Sequence, residues 1–189
     1  LGRLQVDRPG QYVCLDTTRL DVFAMEPVTG GWLNCELTVA MDVYSRCILG
    51  LVLSPVSTDS HDVANVLYQT VSPQHWGPPE DLPGTSPGGA GSDAVLSGDT
   101  AGAVPDTIII DHGSPFLSHH IDSVCRRLGI SIQPAVPHKP TDKPWVERFF
   151  KTLREGLLER LPGYKGPDVA SRGLKIEEQG FYYVDELEA

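Results

Sequence analysis

The chain contains no CxxC pair and no apolar run approaching the ~18 residues that a membrane-spanning helix needs. Nothing is therefore expected to cross a membrane. Its start, LGRLQVDRPG, has no basic stretch followed by an apolar one, so these residues are not expected to be a secretory signal peptide. The first residue is Leu rather than Met, and the chain reads as a fragment of a longer protein. Cations are scarce. Fifteen Lys and Arg stand against 25 Asp and Glu, a net charge of −10, which taken alone argues against a nucleic-acid-binding module. The cysteines are only four (Cys14, Cys35, Cys47 and Cys125). Their spacing is not that of a zinc site, and three sit in apolar runs, as reduced buried thiols of a cytoplasmic protein do.

What is present is enough for one folded domain. The 189 residues are 40% apolar and 21% charged, outside the composition of a disordered chain. The charge is also uneven. Residues 136–165 carry seven Lys/Arg and four Asp/Glu, a local excess of three positive charges in an otherwise acidic chain.

Three parts follow along the sequence. Tyr12–Asp16 is an apolar strand ending in an acid, continued past a bend by Leu20–Met25. Leu33–Val43 and Cys47–Leu53 are further strands, joined by the short Tyr44-Ser45-Arg46 link of a hairpin. Ser57 or Thr58 caps a helix that ends near Pro73, with Val63, Val66 and Leu67 at helical spacing. Residues 77–105 then read as a flexible Gly/Pro-rich insertion, with seven glycines and four prolines between Gly77 and Val104. Thr107–Asp111 is a β-branched central strand that also ends in an acid. Ser118 caps a helix whose face is Ile121, Val124, Cys125 and Leu128, stopped by Gly129. Ile130–Gln133 is a strand. A last helix starts at Thr141 or Asp142 and runs to about Leu161, with Pro144 in its first turn.

At about 100° per residue, Val146, Phe149, Phe150, Leu153 and Leu157 form the core stripe of that helix. Glu147, Lys151 and Arg154 share one flank of it. Two strands thus end in Asp16 and Asp111, beyond which functional groups gather in open α/β sheets. Glu147 stands in the first turns of the last helix. Three converging carboxylates need a cation between them, and Mg²⁺ is a hard ion suited to such oxygens. The ordinary roles of the same residues are an Asx turn for the aspartates and a favourable dipole contact for the glutamate.

The local words decide between these. Leu15-Asp16-Thr17-Thr18 with Leu20-Asp21-Val22-Phe23, Ala40-Met41-Asp42-Val43-Tyr44-Ser45-Arg46 with Ile48-Leu49-Gly50, Asp111-His112-Gly113-Ser114-Pro115-Phe116, and Val146-Glu147-Arg148-Phe149-Phe150-Lys151-Thr152-Leu153 occur in this order. With 35 residues between Asp111 and Glu147, the chain resembles the DDE transposase/integrase superfamily, with its RNase H-like core. LDVF, MDVYSR and the LPGYKGP of residues 161–167 look most like the TnsB/TniA branch of Mu-type transposases. The resemblance covers about residues 4–170. It implies an α/β fold with a mixed five-stranded sheet, three antiparallel strands and then two parallel ones, flanked by helices. The core would span residues 1–165. Residues 166–189 would be a polar tail or a linker to a missing domain.

The resemblance also implies a chemistry. Asp16, Asp111 and Glu147 would be catalytic and would hold two Mg²⁺ ions, for which Mn²⁺ can substitute. A water would cut at the 3′ end of a mobile element, and the freed 3′-OH would attack target DNA. Partners would be element ends, target DNA, further copies of the chain and an ATPase regulator, in a prokaryotic cytoplasm or nucleoid. A nuclease of the same fold that hydrolyses without joining, and a transposase-derived assembly protein without chemistry, are the alternatives. All three acids are present, against the latter.

Neighbouring residues are assigned by the same resemblance. Lys151 and Arg154, four and seven positions after Glu147, approach DNA phosphate. The other role open to them is a solvated face with a Glu147–Lys151 pair worth about 0.2–0.5 kcal/mol. Lys139 and Lys143, on the segment entering the helix, are further DNA-binding candidates. His112, where the family often has Asn, contacts DNA, orients Asp111, or faces solvent. Asp42 is expected to organise the Tyr44-Ser45-Arg46 turn, and Trp145 to be a core or interface aromatic.

Overall fold

The computed structural model describes residues 4–26, 28–72, 74–76, 98–100, 102–111, 113, 115–135, 143–166 and 182–188. Strands β1 (Tyr12–Met25), β2 (Trp32–Asp42) and β3 (Ile48–Pro55) form an antiparallel meander. The expected bend in the first strand is a register shift against β2 between Arg19 and Phe23. Along this bulged half runs the segment after the last long helix: Tyr164 bridges Val22, and the Lys165 N–H donates to the Asp21 carbonyl at 2.7 Å.

The β2–β3 turn is organised by Asp42 as the sequence predicts. Its Oδ2 accepts from the Ser45 N–H and hydroxyl at 2.7 and 2.6 Å, and its Oδ1 accepts from the Gly10 N–H at 2.9 Å. Arg46 takes a left-handed conformation to close the turn (φ 68°).

Helix α1 (Ser60–Val71) starts one or two residues later than expected, and its cap is Asp59 rather than Ser57 or Thr58. The Asp59 carboxylate accepts from the His61 and Asp62 N–H groups, and Asp62 returns a bond to the Asp59 N–H. Thr58 is not available as a cap because its hydroxyl bonds the buried Thr38 hydroxyl at 3.1 Å. Strands β4 (Gln74–Trp76) and β5 (Gly98–Thr100) pair antiparallel, so part of the expected 77–105 loop is strand.

Strand β6 (Thr107–Ile110) lies parallel to β1, and β7 (Ser131–Pro134) parallel to β6. Between them, α2 (His119–Leu128) is capped by Ser118 and ended by Gly129 at φ 73°. Ile121 and Cys125 are buried as expected, whereas Leu128, in the last turn, is exposed. Helix α3 (Pro144–Gly156) is shorter than predicted and gives way at Gly156, a poor helix former, to a 3-10 turn at Leu158–Arg160. Residues 141 and 142 lie outside the described residues. A short helix α4 (Val184–Glu188), within the expected polar tail, returns to the sheet through Val184 and Leu187, and Met25 bridges Tyr183.

The main sheet has the order β3-β2-β1-β6-β7, three antiparallel strands followed by two parallel ones. This is the mixed RNase H-like arrangement expected. Side-chain alternation splits the core in two. Val13, Leu15, Ile108 and Ile110 pack with α1 and α2 on one face. Cys14, Ile109, Val39 and Met41 pack on the other, where Val146 of α3 and Leu158 cover them.

Candidate active site

The same alternation places the two acids, although Asp16 does not end its strand as expected: β1 runs on through it, with Asp16 opposite Val39, while Asp111 follows the last residue of β6. Cys14 lies opposite Ile109 in the parallel β1–β6 ladder. Asp16 and Asp111 each follow two residues later, so both emerge on the face that α3 covers. Parallel neighbours are about 4.8 Å apart, which brings the two carboxylates together where β6 ends beside the continuing β1.

Asp16 is mostly buried. Its Oδ1 accepts from the Thr17 N–H at 3.1 Å and lies 3.4 Å from the Lys143 ammonium. Burial pushes its carboxyl above the usual aspartate range, and the Asp111 charge adds to this. Lys143 and the Thr17 N–H act in the opposite direction, less strongly in sum. Asp111 accepts from the Gly113 N–H at 2.7 Å. Behind them, burial pushes the Cys14 thiol up to about 12, which keeps it a neutral thiol.

Glu147 sits in the first turn of α3, and its N–H donates to the Lys143 carbonyl at 3.3 Å. It is exposed. Among the described residues no three His, Cys, Asp or Glu side chains stand close enough to share a metal ion. The fold thus brings Asp16 and Asp111 together and holds Glu147 on the adjoining helix, outside that pair. The donor chemistry fits a hard divalent cation. One carboxylate lies inside β1 and the other just past the end of its neighbour β6, and a buried ammonium already supplies positive charge between Asp16 and the backbone.

The cationic candidates separate. Lys151 is well exposed and pairs with Glu155 at 3.6 Å, not with Glu147. Arg154 Nε lies 2.8 Å from Asp21 Oδ2, an ion contact whose angle does not make a hydrogen bond. Lys143 does not face solvent. It is 8% exposed and donates to the Leu15 carbonyl at 3.1 Å as well as contacting Asp16. Lys139 and His112 lie outside the described residues. Trp145 carries the Arg46 guanidinium at 4.1 Å over its ring and packs partly into the α3-side core.

Two features of the site escape sequence reasoning. One is the inward turn of Lys143, which no spacing signals. The other is Gly113, whose Asp-x-Gly spacing to Asp111 was the available clue. A Cβ there would lie 2.7 Å from Asp111 Oδ1 and 3.3 Å from Phe116 Cδ2.

Comparison with known proteins agrees with this architecture. The profile of the TnsB C-terminal domain family matches residues 99–163, a span that contains Asp111 and Glu147. The transposase of transposon Tn552 from Staphylococcus aureus is 28% identical over 177 residues, which are 92% of this chain and 32% of that protein. The chain therefore spans about a third of that relative. A chain of the simian T-cell lymphotropic virus intasome, solved in complex with PP2A regulatory subunit B56 gamma, superposes with a TM-score of 0.53 at 19% identity, covering 84% of this chain and 44% of that one. The HTLV-2 integrase catalytic core domain in complex with magnesium gives a TM-score of 0.46 at 16% identity, covering 80% and 72%.

Proposed function

We propose that this chain, a relative of the TnsB-type transposases with the fold of a DDE transposase/integrase core, is the part of a DNA transposase that cleaves element 3′ ends and joins them to target DNA. The observation that carries this reading is the in-register emergence of Asp16 and Asp111 on the face covered by α3, the helix that bears Glu147. Asp16, Asp111 and Glu147 would hold two Mg²⁺ ions, with Mn²⁺ able to replace them. When bound, such ions lower the pKa of water or a 3′-OH and stabilise the leaving oxygen at phosphorus.

The residues of the chain do the rest by position. Asp16 and Asp111 are held by their backbone positions and by the Thr17 and Gly113 N–H groups, so their carboxylates would present oxygens to the ions rather than to the phosphate. Glu147 completes the acidic set from α3. Lys151 is an exposed cation on the same helix and would hold DNA phosphate near the acids. Element ends and target DNA would be the substrates, several copies of the chain would assemble on them, and an ATPase regulator would act on the whole protein in the cytoplasm. Residues 1–165 would form the catalytic unit.

The test is strand transfer by the full-length protein, using DNA with pre-cut element ends and Mg²⁺ or Mn²⁺. Joined product, lost in Asp16→Asn, Asp111→Asn and Glu147→Gln alike, is the expected result. Hydrolysis without joining would identify a nuclease of the same fold instead. Retained joining in all three variants would sink the assignment.

A further inference from the structure

Lys143 precedes the first turn of α3, where an ordinary lysine would extend into water. Its ammonium is instead buried, 3.1 Å from the Leu15 carbonyl and 3.4 Å from Asp16 Oδ1. Its side chain is 10% exposed and that of Asp16 18%. Desolvating an ammonium to this extent is costly, and opposite charge with satisfied donors must offset it. The acceptors that do so, a carboxylate and a backbone carbonyl of β1, are oxygens of the kind a divalent cation takes.

We propose that the Lys143 ammonium occupies the cation position beside Asp16 in the metal-free protein, and that Lys143 and a divalent metal ion are alternative occupants of it. The inference rests on the reading of Asp16 and Asp111 as metal ligands. Two positive centres cannot both crowd one carboxylate oxygen in a poorly solvated pocket without strong repulsion. Arrival of the ion therefore expels the ammonium. Lys143 and Glu147 are four residues apart at the start of α3, linked by the Glu147 N–H bond to the Lys143 carbonyl. Lys143 is the N-cap, with non-helical backbone (φ −129°, ψ 37°), and its side chain turns inward while that of Glu147 is exposed. Withdrawal of Lys143 opens the path by which Glu147 reaches the aspartates, and it returns a cation to the surface where phosphate would lie. Lys143 is a positioning residue, acting on the chemistry through Asp16.

The experiment measures Mn²⁺ binding to this chain by electron paramagnetic resonance, with thermal melting in parallel, for wild type, Lys143→Met and Lys143→Gln. The glutamine keeps a donor for the Leu15 carbonyl and serves if the methionine variant does not fold. Both variants should bind Mn²⁺ at least about tenfold more tightly than wild type, because the repelling charge at Asp16 is gone. Without metal they should melt lower, because the carboxylates have lost their counter-charge, and Mn²⁺ should restore the melting temperature. Equal or weaker affinity in the variants overturns the proposal. If binding is then still abolished by Asp111→Asn, the metal-site reading survives and only the role of Lys143 falls. If neither wild type nor variants bind Mn²⁺ at millimolar concentration, both fall.

Discussion

Gly113 closes on the carboxylate of Asp111. Its N–H donates to Oδ1 at 2.7 Å, and a methyl group on its Cα would stand 2.7 Å from the same oxygen. The aspartate side chain is short, so it cannot yield to that methyl without turning its carboxylate. Gly113→Ala is expected to leave the fold intact and to weaken Mn²⁺ binding severalfold, as changes beside a ligand do. Titration of Mn²⁺ against the variant, with its melting curve, checks this. Unchanged affinity would mean that Asp111 does not need its present rotamer.

A second close approach concerns stability alone. A Cβ on Gly50 of β3 would lie 2.8 Å from the Val66 carbonyl of α1, a backbone atom that cannot swing aside. Gly50→Ala should push α1 off the sheet and cost about 1–3 kcal/mol, the usual range for overpacking. Urea unfolding of the two proteins measures it.

Asp42 is 1% exposed, and its carboxylate serves the β2–β3 turn. Asp42→Ala strips partners from the Gly10 and Ser45 N–H groups. The expected loss is about 1–3 kcal/mol of stability, with Mn²⁺ affinity unchanged once the protein is folded. A matching loss of metal binding would place Asp42 in the acidic set.

Lys151 tests the DNA-facing edge. It is exposed and its one described ion pair, with Glu155, spans 3.6 Å on the helix surface. Lys151→Ala should change stability by no more than about 0.5 kcal/mol. DNA affinity should fall and its logarithmic salt slope should shrink by about one unit, the signature of one lost phosphate contact. Filter binding across a salt series separates this from a loss of fold.

Cys125 provides a pH test remote from the acids. Burial, with a smaller contribution from Asp122, pushes Cys125 from 9.0 up to about 11. Because its folded pKa is raised, the unfolded chain ionises first, so this group withdraws stability as pH climbs from 9.0 towards about 11 and is neutral to stability below 9.0. Cys47 is exposed. Alkylation of the native protein at pH 8, mapped by mass spectrometry, should label Cys47 and spare Cys14, Cys35 and Cys125.

The sequence by itself determined the five strands of the main sheet, the two acids that follow their apolar runs and the helix that carries Glu147, but not the strands β4 and β5. Those features are written in local patterns: apolar runs closed by Asp16 and Asp111, the Ser118 cap with the Gly129 stop, and the 3.6-residue stripe through Val146 and Phe149. It also specified the Asp42 turn, because a carboxylate three residues before a serine N–H acts within its own neighbourhood. The α1 cap was misplaced by one or two residues because Thr58 spends its hydroxyl on Thr38, a partner 20 positions away. Only tertiary structure decided the direction of Lys143. A lysine at a helix start reads as solvent-facing until the fold sets Leu15 and Asp16, 127 or more positions earlier, within reach of its ammonium. The closeness of Gly113 to Asp111 and of Gly50 to Val66 is likewise a matter of packing, which no periodicity encodes. Alternation and capping are short-range and survive in sequence, whereas desolvation, counter-charge and close approach exist only once distant segments share one space.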